Sequence, residues 1–157
     1  MKRILVNVDR CSGCRLCEMV CSFSHENAFG SSISRINVTK EDVFGFDLPV
    51  VCWHCNSCNA MENCRAEALE RGEEGLVFVN EEKCVGCGEC LEICMIGAIR
   101  LHPERNTPLI CDHCGGKPLC VEKCPTKALA YTETEKQQPR LPNRVLEETL
   151  RRWRTTA

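Results

Sequence analysis

Sixteen cysteines in a chain of 157 residues, divided into four groups of four with none left over, restrict what this sequence can become. The first group is Cys11, Cys14, Cys17 and Cys21, spaced C-x2-C-x2-C-x3-C, and the third, Cys84, Cys87, Cys90 and Cys94, repeats that spacing. The second, Cys52, Cys55, Cys58 and Cys64, keeps the close triplet and delays its last member. The fourth, Cys111, Cys114, Cys120 and Cys124, keeps the opening CxxC and the closing x3 and stretches the middle. Only five Phe, two Trp and one Tyr accompany them, and the apolar runs between groups are short. Such a chain has little with which to build a core unaided and calls for covalent or metal staples.

Three staples compete. Disulfides suit an oxidising compartment, but Ile4-Leu5-Val6 is too short for the apolar segment of an export signal and no run approaches a membrane span. These features predict a cytoplasmic protein, in which clustered thiols stay reduced and bind metal. Zinc ribbons need two CxxC knuckles per ion and have no use for a third cysteine two residues on. A four-iron cubane has that use, because a loop with three thiolates at x2 spacing covers one face of the cube. The fourth cysteine then lies in the following helical turn and, in two-cluster ferredoxins with this run, ligates the other cluster. The spacing therefore points to four [4Fe–4S] clusters on sixteen cysteines; a zinc-binding interaction module and an iron–sulfur regulator stand as alternatives.

Short strands flank the groups in sequence: residues 4–8, 35–39, 76–80, 98–101 and 129–132 mix β-branched and polar positions. Helical turns are predicted near the third cysteine of each group, for example Leu91–Met95 and Val121–Cys124, the latter stopped by Pro125. Strand, ligand loop, helical turn and strand, repeated, make an α+β ferredoxin-like pattern. Residues 133–142 read as a polar linker, and Asn143 as the N-cap of an amphipathic helix to about Arg154, with Val145, Leu146, Leu150 and Trp153 on one stripe. That helix is expected to dock, on this domain or on a partner chain.

The net charge of −2 is uneven: six basic residues face two acidic ones from Lys136 onward, which leaves about −6 for the rest. The basic tail carries no nucleic-acid motif, so no nucleic-acid partner is expected. His25, His54, His102 and His113 are assigned hydrogen-bonding or surface roles, since no site lacks a thiolate. Trp53 and Phe23, beside ligand loops, are expected to shield them from water. No nucleotide-binding glycine motif and no catalytic triad is present, so the chain should not turn over a substrate by itself.

The stretches CSGCRLCEMVCSFSHENAFGSSISRINV, CVGCGECLEICMIGAI and CDHCGGKPLCVEKCPTKAL resemble those of the four-cluster ferredoxin-like subunits of complex redox enzymes, over roughly residues 2–132. These subunits accompany molybdenum and tungsten oxidoreductases, carbon monoxide dehydrogenases, and formate-linked hydrogenases and dehydrogenases; the first stretch is most similar to the subunit paired with tungsten aldehyde oxidoreductases. The resemblance implies two ferredoxin-like dicluster modules in tandem within residues 1–132, an outer one of about 1–45 plus 105–132 and an inner one of about 46–104. It further implies ligand sets Cys11, Cys14, Cys17 and Cys124; Cys111, Cys114, Cys120 and Cys21; Cys84, Cys87, Cys90 and Cys64; and Cys52, Cys55, Cys58 and Cys94. Cys58 departs from the family spacing, which expects the ligand at Ala60, although the span from Cys55 to Cys64 is kept. The implied role is electron transfer between a large catalytic subunit and a flavin subunit, a ferredoxin or a further copy of the chain. A free soluble polyferredoxin is the alternative within that class.

Overall fold

In the computed structural model, residues 1–42 and 45–134 are described. Along the chain, β1 (Lys2–Val6) leads to α1 (Leu16–Glu26) and the hairpin β2 (Ile36–Glu41) and β3 (Phe46–Val51). Next come α2 (Asn59–Glu62), the ribbon β4 (Leu69–Arg71) and β5 (Val77–Val79), and α3 (Glu89–Ile93). The ribbon β6 (Arg100–Leu101) and β7 (Pro108–Leu109), α4 (Leu119–Glu122) and β8 (Leu129–Glu133) complete the order. All strands among the described residues pair as antiparallel two-stranded ribbons, and one of these joins β1 to β8, with Ile4 opposite Tyr131. The class is α+β.

Two small apolar cores follow from this pairing. In one, Ile4, Val6, Val8, Ile36, Val51 and Leu129 pack around Cys21, Cys111 and Cys120. In the other, Ala60, Leu69, Val77, Ile99 and Ile110 pack around Cys90. Cysteine sulfur is thus part of both cores. Polar ties cross between the surrounding elements: Arg100 donates to Asn37 Oδ1 at 3.0 Å and to the carbonyls of Ser31 and Ser34, and Arg105 forks onto Glu26 with two bonds of 2.9 Å.

Several elements differ from what the sequence predicts. The first strand stops at Val6 because Val8–Arg10 closes a 3-10 turn, Cys11 N–H donating to the Val8 carbonyl at 3.1 Å. β3 and β7 form although Pro49 and Pro108 argue against strands; two-stranded ribbons are all edge, where a missing N–H costs little. β4 escapes detection because three residues, two of them charged, carry no period. The first helix runs eleven residues through Cys21, which no proline follows, and ends at Asn27 in the left-handed region. The expected helix from Asn143 to Arg154 lies outside the described residues. No helix among the described residues is long and apolar enough to cross a membrane.

Glu18 anchors α1 to the β2–β3 hairpin. Its carboxylate is fully buried and accepts from Val38 N–H at 2.6 Å and Ser31 Oγ at 2.5 Å, with Arg15 Nη1 at 3.4 Å. Glu18→Ala leaves a buried N–H and a hydroxyl without acceptors, and should destabilise the chain by about 2–4 kcal/mol. Urea unfolding followed by far-UV circular dichroism checks this; an unchanged midpoint would refute the anchoring role.

Candidate metal centres

Each cysteine run is laid out by the same local devices. The third cysteine opens a helix: Cys17, Cys90 and Cys120 lie at the second position of α1, α3 and α4, and Cys58 is the N-cap of α2. Left-handed residues bend the loops before them, Arg15 and Gly88 at the helix starts and Gly13 and Gly86 within the loops. Gly13 has a φ of +64°, which favours glycine, and a Cβ there would have to displace the Asp47 carboxylate. Ala60, where the family spacing expects a ligand, is instead buried in the second apolar core.

The fourth cysteines share a device that spacing does not reveal. Cys64, Cys94 and Cys124 each accept, at the carbonyl, a bond from the N–H three residues on, at 2.9, 2.9 and 3.3 Å. The donors Glu67, Gly97 and Lys127 all have positive φ, which turns the chain back on itself. The next N–H then donates to sulfur, Ala68 to Cys64 Sγ at 3.4 Å and Ala128 to Cys124 Sγ at 3.3 Å. The sequence signal is the alanine four residues after each cysteine, in CRAEA, CMIGA and CPTKA. Cys21 sits inside α1 and receives the Arg35 N–H at 3.4 Å instead.

Each fourth cysteine neighbours thiols of another run. Burial raises Cys11, and the neighbouring Asp47, Cys14 and Cys124 add to it. Burial and then Glu18 push Cys17 up to about 12, with Cys11 and Cys14 contributing. Burial drives Cys111 and Cys120 well above the ordinary thiol range, and both feel Cys21. Cys90 is pushed up to about 11 by burial and by Cys87, Cys64 and Cys84. Cys52 reaches about 12 through burial, against the His54 N–H, with Cys94, Cys58 and Cys55 as its thiol neighbours. Two of these gatherings line pockets: one is bordered by Cys64, Cys84, Cys87 and Cys90, and one by Cys21, Cys111, Cys114 and Cys120.

Thiols this close and this buried cannot ionise together without a cation among them. Where hydrogen bonds are dense the balance reverses: burial raises Cys124, but N–H groups of Leu129, Ala128 and Thr126 and the Thr126 hydroxyl lower it overall. His25 and Asp112 flank the Cys21 gathering. The Asp112 carboxylate, then Cys21, hold His25 up at about 10, so the charged imidazole faces Asp112 at 3.1 Å and the Cys21 carbonyl at 2.8 Å. Arg35 Nη1 and the Cys114 N–H complete the Asp112 shell at 2.9 and 3.0 Å.

His54 and His113 are not on the surface: each is 1% exposed, and their rings meet edge to face with centroids 4.7 Å apart. His54 Nδ1 accepts from Val77 N–H at 2.8 Å, and burial, then His113 and Arg3, press it down to about 3. The pair therefore packs as neutral imidazoles. Each belongs to a C-x-H-C run, a shared signal in the sequence that marks the two for a common setting. His102 is also internal, its Nδ1 accepting from Glu104 and Arg105 N–H at 3.2 Å each. Phe23 does not shield a ligand loop; it is 49% exposed and stacks on Phe29 at 4.8 Å.

Comparison with known proteins identifies the metal. Residues 76–99 match the sequence family described as a 4Fe-4S binding domain. The protein is 42% identical over 123 residues to the polyferredoxin-like subunit of an aliphatic sulfonate oxidoreductase from Pyrococcus furiosus, covering 77% of this sequence and 70% of that one. It belongs to the iron–sulfur electron-transfer subunits of oxidoreductase complexes. Other members are the putative electron transport protein YsaA of Escherichia coli, 35% identical over 147 residues (86% of this sequence, 92% of that one), and the B subunit of the anaerobic dimethyl sulfoxide reductase of the same organism, 32% over 144 residues (80% and 70%). Among solved structures, a subunit of the active site complex BamBC of benzoyl coenzyme A reductase, in complex with zinc, is 28% identical, with a TM-score of 0.53 and coverage of 96% of this sequence and 89% of that one.

The thiol gatherings fit [4Fe–4S] groups as donor sets: buried thiolates, apolar walls and N–H groups aimed at sulfur. Because cysteine sulfur belongs to both apolar cores, metal binding and folding are linked in this subunit. Stripping its iron with a chelator should abolish cooperative thermal unfolding. Circular dichroism melts of the iron-free protein check this, and a sharp transition like that of the iron-loaded protein would refute it.

Proposed function

We propose that this subunit relays single electrons through four [4Fe–4S] clusters between a large catalytic subunit and a second redox partner. The ligand sets are Cys11, Cys14, Cys17 and Cys124; Cys111, Cys114, Cys120 and Cys21; Cys84, Cys87, Cys90 and Cys64; and Cys52, Cys55, Cys58 and Cys94. One observation carries this reading: each fourth cysteine lies beside the run of another group, Cys124 by Cys11, Cys21 by Cys120, Cys64 by Cys90 and Cys94 by Cys52. The two apolar cores support an outer and an inner dicluster module, nested in the chain.

The clusters supply one-electron chemistry; the protein supplies thiolates, N–H donors to sulfur and exclusion of water. Two sets open outward, through the exposed Cys14 and Cys87, and the other two meet inside, where Cys111 feels Cys52. That layout suits entry at one end and exit at the other. The catalytic subunit is of the tungsten or molybdenum pterin type, by the resemblance of the first cysteine stretch to partners of tungsten aldehyde oxidoreductases. Relatives named as subunits of an aliphatic sulfonate oxidoreductase and a dimethyl sulfoxide reductase support a catalytic partner over a free polyferredoxin. The second partner is a flavin subunit, a soluble ferredoxin or another copy of this chain, and the setting is the cytoplasm, where sixteen thiols remain reduced.

Two measurements test the relay. Iron and acid-labile sulfide analysis should find about sixteen of each per chain, with coupled S = 1/2 signals on reduction; two to four zinc ions would sink the proposal. Cys11→Ser and Cys124→Ser should then abolish the same electron paramagnetic resonance signal, and the double variant should lose no further one. Loss of two different signals would refute the cross-run ligation.

A further inference from the structure

Arg3 is a buried arginine with no carboxylate partner among the described residues. It sits on β1, 6% exposed, with Nη2 donating to Asn56 Oδ1 at 3.2 Å and with Nε and Nη1 left without partners. A guanidinium removed from water is costly unless an anion compensates it. Asn56 directly follows Cys55, so its bond to Arg3 sets the guanidinium beside that ligand loop. Arg71 approaches the same ligand loop, donating from Nη2 to the carbonyls of Cys55 at 2.5 Å and Asn56 at 3.3 Å. Among the described residues neither guanidinium forms an ion pair.

The other thiol gatherings differ. Near Cys21 and Cys114, Arg35 and His25 both face Asp112, at 2.9 and 3.1 Å. Around Cys84 and Cys90, Lys83 pairs with Glu70 at 2.8 Å and Arg65 with Glu89 at 3.5 Å. Beside Cys11 and Cys17, Arg15 pairs with Glu18 at 3.4 Å and Lys40 with Asp47 at 3.4 Å. Among the described residues, the loop at Cys55 and Asn56 is met by two guanidinium groups, Arg3 and Arg71, neither of them in an ion pair.

We propose that Arg3, assisted by Arg71, is the counter-charge of the centre held by Cys52, Cys55, Cys58 and Cys94, and makes it the point of highest potential in the relay. This rests on the four-centre reading above. One electron arriving from a neighbouring centre adds one negative charge at this set and departs to the next, with no bond made and no proton moved. The fixed positive charge favours the arrival. His54 and His113 fill the adjoining space, so the charge acts through a dry, weakly screening medium.

The test is an anaerobic titration of the full-length protein with dithionite and redox mediators, followed by electron paramagnetic resonance, on the wild type, Arg3→Met and Arg3→Lys. In Arg3→Met, the electron occupancy ratio of one centre relative to the other three should fall at least tenfold, about 59 mV for a one-electron couple. Iron content should be unchanged, and Arg3→Lys, which keeps the charge, should recover most of the shift. The proposal is overturned if no centre moves, if all centres move together, or if Arg3→Lys shifts as far as Arg3→Met. Should Arg3→Met lose iron, Arg71→Met decides: a fall of that same centre supports the proposal and an unmoved potential overturns it. A wild-type count well below sixteen irons would instead remove the four-centre reading, independently of any shift in potential.

Discussion

Buried thiol next to buried thiol is the constraint on which the rest of this structure depends. Cys17, Cys52, Cys90, Cys111 and Cys120 are all pushed far up by burial, with neighbouring thiols adding to the effect. A polypeptide that packs sulfur in this way is incomplete as protein alone. Its strands are ribbons of two, its later helices are a turn or so long, and its two cores are closed by cysteine side chains as much as by isoleucine and valine. The iron–sulfur groups are accordingly structural members of the subunit as well as its redox equipment.

Charge is managed differently from place to place around these thiols. Asp112 ties together the charged His25 and Arg35. Glu18, inside the α1–β2 joint, holds backbone and hydroxyl donors in place and raises Cys17. Donors aimed at Cys124 and Cys21 outweigh the burial of those two thiols. A relay built from chemically similar centres needs such local asymmetry if its stations are to differ, because potential responds to nearby charge, hydrogen bonds to sulfur and solvent access.

The metal chemistry was legible in the sequence because cysteine spacing is a local property: three thiols at x2 spacing need only one loop. Strand partners were less legible. Ile4 through Val8 mixes β-branched and polar residues enough to be read, but Pro49 and Pro108 disguise their strands, and a ribbon of two-residue strands leaves no period to find. The direction in which Cys64, Cys94 and Cys124 turn is set by left-handed residues of three different types, Glu67, Gly97 and Lys127, which no composition rule marks. The burial of His54 and His113 was hidden for another reason. Each looks like a polar residue in a loop, and only the folded chain brings the two rings into contact.

The pairing of the first strand with the last has a consequence for biogenesis. Lys2 faces Glu133, so β1 has no partner until nearly all of the described residues have left the ribosome. The ribbons β2–β3, β4–β5 and β6–β7 each join neighbouring segments and can close while synthesis continues. Translation therefore imposes an order of pairing: the three inner ribbons can close first, and the ribbon of β1 and β8 closes last.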